Sequence, residues 1–540
     1  MLYCLTNVCD LWVCRLIILG VTPLLILIAI YVIAAVLLAV YGLNAWLLTA
    51  LYLKNRSKTP AASADFTEIE PEAPQVTIQL PIFNEVFVVK RLIEAVARLD
   101  YPRHLLQIQV LDDSTDETTN IALTCIDQYR SQGFNIELLH RHNRTGFKAG
   151  ALKNGLDRAT GEFIVIFDAD FVPNPDFLKQ TIPYFLENGQ LGFVQARWSH
   201  LNCRYSPITS AQALAIDGHF IVEQTARNRS GLLMNFNGTA GVWRRTCIES
   251  AGGWQDDTIC EDFDLSYRAQ LAGWQPLFLP EVAVPAEIPP QLAAFKRQQF
   301  RWAKGSIQCL KKLASPVWSS SLSPLVKLQA FIHLSNYLAH ALIVTLAIIT
   351  PILIMTGSTA KIRFPLIYLS LVSLGPPVLY AIAQAKLYPF EWKQRYKMMP
   401  LLIFLGSGIA LSSSKAIIEA FLGVGNIFRR TPKFNVVSTT DHWQNNTYRV
   451  PLDGLVLGEL ALGLYSLWGA WIAATNGNQF AVPFILLYAF SFGYVGLQGL
   501  WDARLELRNW LAVRFIRLAR YLKGPAYTKR MRLNASTHKK

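Results

Sequence analysis

The chain is 540 residues long, 52% hydrophobic and only 16% charged, with a mean hydropathy of +0.26. These values exclude a disordered or fibrous protein and are too apolar for an ordinary soluble enzyme. The length exceeds one domain, and eight cysteines are too few for a disulfide scaffold. A formal net charge of +14 would suit nucleic-acid binding, but the apolar blocks assign it to the basic cytoplasmic faces of a membrane protein, and no nucleic-acid partner is expected.

The first apolar block runs from about Leu16 to Leu53, with no charge between Arg15 and Lys54. A membrane-crossing helix needs ~20 apolar residues, so residues 1–57 hold one long span or two short ones. The block is too long for a cleavable signal peptide and lacks a small-residue cleavage site. Lys54, Arg56 and Lys58 follow at once and place the next segment in the cytoplasm. Residues 58–74 read as a polar linker rich in Ala, Pro and Glu.

Residues 75–313 read as a soluble α/β domain. Short apolar runs at Val76–Leu80, Leu105–Leu111, Ile136–Leu139 and Phe163–Phe167 predict buried strands. Helical patterns lie between them, as in Glu85–Leu99, and this alternation predicts a parallel sheet with helices on both faces. Ligands of such sheets bind beyond the carboxyl ends of the strands. Cysteines show no metal spacing, which fits a reduced cytoplasmic domain.

Residues 314–502 carry further spans, read at Leu328–Met355, Phe364–Ala383, Gly454–Ala474 and Phe480–Leu500. Another block, Met399–Gly423, is interrupted by Ser412–Ser414, Lys415 and Glu419. Basic residues flank it on both sides (Lys393, Arg395 and Lys397; Arg429, Arg430 and Lys433), so residues 398–424 are expected to form a re-entrant or interfacial element. The tail 503–540 carries eleven Lys and Arg, and Arg514, Arg517 and Arg520 among apolar residues suit an amphipathic cytosolic helix on anionic membrane lipid.

Four features carry chemistry. The strand at Val110-Leu ends in Asp112 and Asp113, placed to bind a base or ribose, although Ser114, Thr115 and Asp116 equally suit a helix N-cap. Phe163-Ile-Val-Ile-Phe ends in Asp168-Ala-Asp170, two carboxylates on one side that suit a hard divalent cation with room left for phosphate oxygens. Cys260-Glu-Asp262 offers a general base, or else acids at the first turn of the helix Phe263–Leu271. Gln298-Gln-Phe-Arg301-Trp302 is the most specific signal, since chance gives roughly 0.03 occurrences of its pattern per chain. Arg supplies a forked donor to phosphate, and a Trp face stacks on a sugar ring, while a membrane-surface helix explains the same stretch more blandly.

In this order the four features resemble the processive family 2 glycosyltransferases, the group of cellulose, chitin and hyaluronan synthases. The resemblance is nearer to plant cellulose-synthase-like mannan synthases and xyloglucan-backbone glucan synthases. It is carried by Gln79-Leu-Pro-Ile-Phe-Asn-Glu85, Gln109-Val-Leu-Asp-Asp-Ser-Thr-Asp116, Phe147-Lys-Ala-Gly-Ala-Leu-Lys153, Phe167-Asp-Ala-Asp-Phe171, Gln195-Ala-Arg-Trp198 and Phe236-Asn-Gly-Thr-Ala-Gly241. It implies an α/β, Rossmann-like GT-A domain in the cytosol beside an α-helical transmembrane domain. Asp113 with Asp112 would then hold base and ribose, and Lys148 would approach the diphosphate. Asp168 and Asp170 would carry Mg²⁺ or Mn²⁺, Gln298 and Arg301 would bind the diphosphate, and Asp262 would be the base of one inverting displacement. Trp302 and the turn Phe236, Asn237, Gly238 and Thr239 would line the acceptor site. Phe428-Arg-Arg-Thr431-Pro-Lys433 resembles the gating loop of bacterial cellulose synthase, with Arg430 where that loop has Val; a basic juxtamembrane turn is the plainer reading. Two other departures are Cys260 where the family has Thr, and Phe300 with Ala303-Lys-Gly305 where plant mannan synthases have His and Ser-Cys-Gly.

The implied activity is polymerisation and translocation of a β-1,4-linked glucan or mannan from a nucleotide-sugar donor, UDP-glucose favoured over GDP-mannose. The alternatives are a lipid glycosyltransferase that adds one hexose to diacylglycerol or ceramide, and a non-catalytic scaffold, which the filled acidic positions argue against. The expected location is a multi-pass protein of the plasma (inner) membrane. The tail after Trp501 is too short for a β-barrel receptor of cyclic dinucleotides, and the sequence names no partner subunit.

Overall fold

The computed structural model describes residues 2–58, 73–357, 371–425, 428–443 and 447–523, and of 2–22 and 505–523 only the backbone. Residues 59–72 of the expected linker 58–74, residues 364–370 of one expected span, and, in the basic tail, residues 524–540 and the side chains of 505–523 lie outside the described residues.

Seven strands form one sheet in the order β3-β2-β1-β4-β6-β5-β7. β1 (Val76–Ile82), β2 (Leu106–Asp112), β3 (Asn135–His140) and β4 (Phe163–Ile166) are parallel and match the four predicted strands within two residues. β1, β2 and β4 are apolar runs buried almost throughout, as a parallel sheet covered on both faces requires. The sheet is not wholly parallel, however. β6 (Gly241–Arg244) runs antiparallel to both β4 and β5 (Leu191–His200), and β5 pairs in parallel with β7 (Gln275–Ala286). The reversal has a consequence for the site: it brings the turn before β6 beside the carboxyl end of β4, where the Ala240 N–H donates to the Ile166 carbonyl at 2.9 Å.

The helices, in chain order, begin with α1 (Leu2–Asn55), α2 (Val89–Val96), α3 (Thr118–Ser131), α4 (Phe147–Leu156), α5 (Pro207–Gly218) and α6 (Glu261–Leu271). α2 is shorter than its predicted 85–99 because residues 85–88 and 97–99 are turns. α2 and α3 cover one sheet face through Val89, Leu92, Ile93 and Ile126. α4 and α6 cover the other through Leu152, Leu156, Leu265 and Ala269 against Ile164, Ile166 and Trp243. Each such buried side chain contributes roughly 1.5–3 kcal/mol.

Beyond the sheet lie α7 (Leu292–Ser319), α8 (Pro324–Leu334), α9 (Leu338–Met355), α10 (Gly375–Leu387), α11 (Met399–Gly408), α12 (Ala410–Leu422), α13 (Leu455–Thr475) and α14 (Val482–Lys523). The N-terminal block is one continuous helix, and the expected span from Leu328 is broken between α8 and α9. Among the described residues five helical runs are long and apolar enough to cross a membrane: Pro23–Asn55, Leu338–Met355, Trp392–Leu422, Leu455–Thr475 and Val482–Arg504. Their outward faces expose Ile33, Leu457, Leu464, Trp471 and Leu497, surface that water disfavours and lipid accepts. Inside this region Glu459 of α13 is fully buried and is paired at 2.5 Å with Lys296 of α7, the partner that a buried charge demands. The run 392–422 is interrupted at Ile409, and both its ends touch the sheet domain: Arg395 lies 3.7 Å from Asp217, and Glu419 lies 3.0 Å from Lys304.

Candidate active site

The carboxyl ends of β2 and β4, the turn before β6, the first turn of α6 and one face of α7 converge on a single cleft. Asp113, Lys148, Asp168, Asp170, Asn237 and Gly238 line it, facing Asp262, Gln298, Arg301 and Trp302. Gln298, Arg301 and Trp302 share a face because helical spacings of three and four place side chains together. Phe428, Thr431 and Lys433 also line the cleft, so residues remote in sequence help to close it.

Three expected ligand-contacting residues do not line it. Asp112 is fully buried: one oxygen accepts the Ser114 N–H (2.9 Å), and the other meets the Thr119 hydroxyl (2.7 Å) and His140 Nδ1 (2.8 Å). Adjacent strand residues face opposite ways, so only Asp113 opens to the cleft, where Arg141 holds both its oxygens at 2.6 and 2.7 Å. Phe236 is buried against Phe193 and Trp243. Thr239 is buried too, and its hydroxyl accepts the Asp168 N–H at 2.8 Å. These three residues shape the site from behind. The N-cap expectation is not met: Glu117 takes that position without a side-chain capping bond, and Asp116, one residue earlier, accepts the Thr118 N–H at 3.0 Å.

Lys148 is the hub of the cleft. Its ammonium lies 2.7 Å from Asp168 and 3.6 Å from Glu261, and it donates to the Gly238 carbonyl at 2.8 Å. Burial opposes its charge, but Asp168, Glu261 and Asp262 outweigh burial and hold Lys148 above the usual range. Gly238 has φ +78°, and a Cβ there would sit 2.8 Å from Asp262 Oδ2, so the turn needs glycine on both counts. Asp262 lies in the first turn of α6, and its carboxyl is pushed up to about 7 by burial and then by the charge of Glu261, against the pull of Lys148, the Phe263 N–H and Arg301. A carboxylate near neutrality inside a cleft is suited to general-base work.

Sequence reasoning missed a second set of acids and bases. Glu85 and Glu287 line the cleft; burial raises them to about 8 and about 7 despite nearby cations. Arg430 pairs with Glu85 at 2.9 Å, and Lys433 pairs with Asp170 at 2.7 Å. Glu287 accepts the N–H groups of Phe434 and Asn435 at 2.8 and 2.9 Å. Phe428 stacks on Phe147 and lies 4.6 Å beneath Arg301. Just past the end of α12, the carbonyls of Val424 and Gly425 accept from Lys304, both at 2.6 Å. The Ala303-Lys-Gly305 departure thus has a structural use: Lys304 holds Glu419 and the two carbonyls just past α12. Gly305 is needed as well, because a Cβ there would lie 2.2 Å from Cys260 Sγ. The only sequence signals for Glu85 and Arg430 were their places in the quoted motifs.

Among the described residues no cluster of three His, Cys, Asp or Glu could hold a metal ion unaided. Asp168 and Asp170 still fit a divalent cation in their chemistry: two hard oxygen donors open on the cleft, each now matched by a lysine ammonium. Remaining positions would fall to phosphate oxygens, as is usual for Mg²⁺ at nucleotide sites.

Residues 74–305 match the family described as "Glycosyltransferase like family 2". A probable glucomannan 4-beta-mannosyltransferase 3 of Oryza sativa subsp. japonica is 32% identical over 439 residues, covering 78% of this chain and 78% of that protein. The chain belongs to the cellulose-synthase-like family 2 glycosyltransferases. Probable glucomannan 4-beta-mannosyltransferase 7 of the same plant is 44% identical over 263 residues, 48% of this chain and 45% of the relative. Glucomannan 4-beta-mannosyltransferase 1 of Cyamopsis tetragonoloba is 42% identical over 276 residues, 49% and 52% respectively. In these two matches the chain spans about half the length of the relative. The fold agrees with a solved structure: the mannosyltransferase PcManGT from Pyrobaculum calidifontis, in complex with GDP-Man and Mn²⁺, aligns with a TM-score of 0.51 at 20% identity, over 74% of this chain and all of that one. The sheet domain is therefore a GT-A-like glycosyltransferase fold joined to apolar helices.

Proposed function

We propose that this family 2 glycosyltransferase is a membrane-bound hexosyltransferase that extends a β-1,4-linked mannan or glucomannan from GDP-mannose. The observation that carries this reading is the match to a probable glucomannan 4-beta-mannosyltransferase over 439 residues, more than the sheet domain alone contains. The names of these relatives move the favoured donor from UDP-glucose to GDP-mannose. Asp113 and Arg141 would face the base, while Lys148, Gln298, Arg301 and Lys433 surround the place of the diphosphate. A cation on Asp168 and Asp170 would neutralise the leaving diphosphate. Asp262 would take the proton from the attacking acceptor hydroxyl, and a single displacement would invert the anomeric carbon. Trp302 and Asn237 would hold the acceptor sugar.

In this reading the sheet domain is cytosolic. Because both ends of the run 392–422 touch that domain, the run lies along its membrane face as a re-entrant or interfacial element. The remaining long helices then carry the polymer outward. The test is to incubate detergent-purified protein with labelled GDP-mannose or UDP-glucose and Mg²⁺ or Mn²⁺, then to partition polymer, lipid and free sugar. Labelled polymer cleaved by β-1,4-mannanase is expected from GDP-mannose. Label confined to the organic phase would instead mean transfer of a single hexose to lipid.

A further inference from the structure

Between α5 and the turn that carries Asn237 the chain forms a π-helical turn, His219–Gln224. Such turns sacrifice backbone hydrogen-bond geometry and recur at functional sites. Here the widened turn aims two side chains at one amide and a third at one of those two. His219 Nδ1 lies 2.9 Å from Glu223 Oε2, and His219 Nε2 lies 3.1 Å from Asn237 Nδ2. Gln224 Nε2 donates to the Asn237 side-chain oxygen at 2.7 Å and to the Asn235 carbonyl at 2.8 Å.

The roles in this network follow from one group that can only accept. The Asn235 carbonyl requires the amide nitrogen of Gln224 to face it, so that same nitrogen faces Asn237 Oδ1. The Asn237 amide nitrogen then points to His219, whose Nε2 has to be the acceptor. The imidazole proton therefore sits on Nδ1, donated to the Glu223 carboxylate, and the ring is held in a single tautomer. Asn237 keeps one N–H and one lone pair for the cleft it lines, a donor and an acceptor side by side, which is the complement of two neighbouring sugar hydroxyls. Placement agrees with this. A Cβ on Gly218, just before the π turn, would meet Tyr380 of α10 at 2.3 Å, so the network sits where the sheet domain abuts the apolar helices. On its other side Gly238 abuts Asp262. Phe220, within the turn, also packs on the cleft residue Trp198 at 5.3 Å.

We propose that Glu223 and His219 are positioning residues that fix the Asn237 amide to read a hydroxyl pair on the terminal sugar of the acceptor glycan. This rests on the reading of the cleft as a site of transfer to a β-1,4-linked chain. The experiment measures calorimetric binding of β-1,4-mannohexaose to the detergent-purified full chain, with GDP binding measured on the same samples. His219→Asn keeps a polar group but cannot reach the Nε2 position, whereas Gln places an oxygen there. We expect His219→Asn to weaken hexaose binding at least tenfold, His219→Gln to recover most of that loss, and Glu223→Gln to fall between them, with GDP affinity within twofold throughout. Equal effects of Asn and Gln at 219, or parallel losses of GDP affinity, would overturn the proposal, as would absence of hexaose binding by the unmodified chain. Failure of GDP binding in the unmodified chain counts instead against the donor reading, and leaves the hexaose comparison as the test of the network.

Discussion

Asp262 is held near neutrality chiefly by burial, and after that by the charge of Glu261 beside it. A base has to be ionised to accept a proton, so kcat/KM should rise with pH through an acid limb near 7. Glu261→Gln keeps the shape of the side chain and removes its charge. Lys148 should stay in place, because its shorter contacts are to Asp168 and the Gly238 carbonyl, at 2.7 and 2.8 Å against 3.6 Å to Glu261. Loss of one like charge at this range lowers a carboxyl pKa by roughly one unit. With the acid limb moved down from about 7, the rate at pH 6 should rise severalfold, and the two enzymes should converge at alkaline pH. The assay is initial-rate transfer at subsaturating donor from pH 5.5 to 9. An acid limb that stays in place or moves upward in Glu261→Gln would refute Asp262 as the base whose charge state this neighbour controls.

Three further substitutions probe the same geometry. Lys433→Gln removes the ammonium that now neutralises Asp170 at 2.7 Å, so Mn²⁺ binding, read as loss of the free-ion electron paramagnetic resonance signal, should tighten about tenfold; unchanged or weaker binding would show that the lysine does not compete with a cation. Asp112→Asn places an amide among partners that now donate to a carboxylate, and should cost about 1–3 kcal/mol in thermal or denaturant unfolding while leaving donor KM within twofold. A large rise in donor KM with unchanged stability would return Asp112 to the binding site. Gly238→Ala forces an L side chain to φ +78° and a methyl against Asp262, about 1–2 kcal/mol of backbone strain alone, and should reduce turnover at least a hundredfold with nucleotide binding retained in a direct titration. Near-normal turnover would mean that the turn does not abut the reacting atoms.

Much of the cleft was legible because its chemistry sits where apolar runs stop. A strand that must be buried on both faces cannot carry an ionised carboxylate inside the sheet, so the Asp112-Asp113 and Asp168-Ala-Asp170 steps mark strand ends. The Gln298, Arg301 and Trp302 face follows from helical spacing alone. Alternation says that Asp112 and Asp113 face opposite ways, but not which face is the cleft. Phe236 and Thr239 looked like binding residues because they flank Asn237 and Gly238; packing against Phe193 and Trp243 turned the first into core, and the second holds the backbone of Asp168.

By itself the sequence determined the α/β class beside long apolar helices, the four parallel strands and the order of the acidic strand ends, since local apolar patterning and charge decide these. Only tertiary structure decided the reversal of β6, the meeting of Lys433 with Asp170 across 263 residues, the hold of Glu287 on Phe434 and Asn435 and of Lys304 on the chain past α12, and the π turn that faces Asn237. Such pairings depend on which remote surfaces come together once the core has packed, and no local pattern encodes that choice.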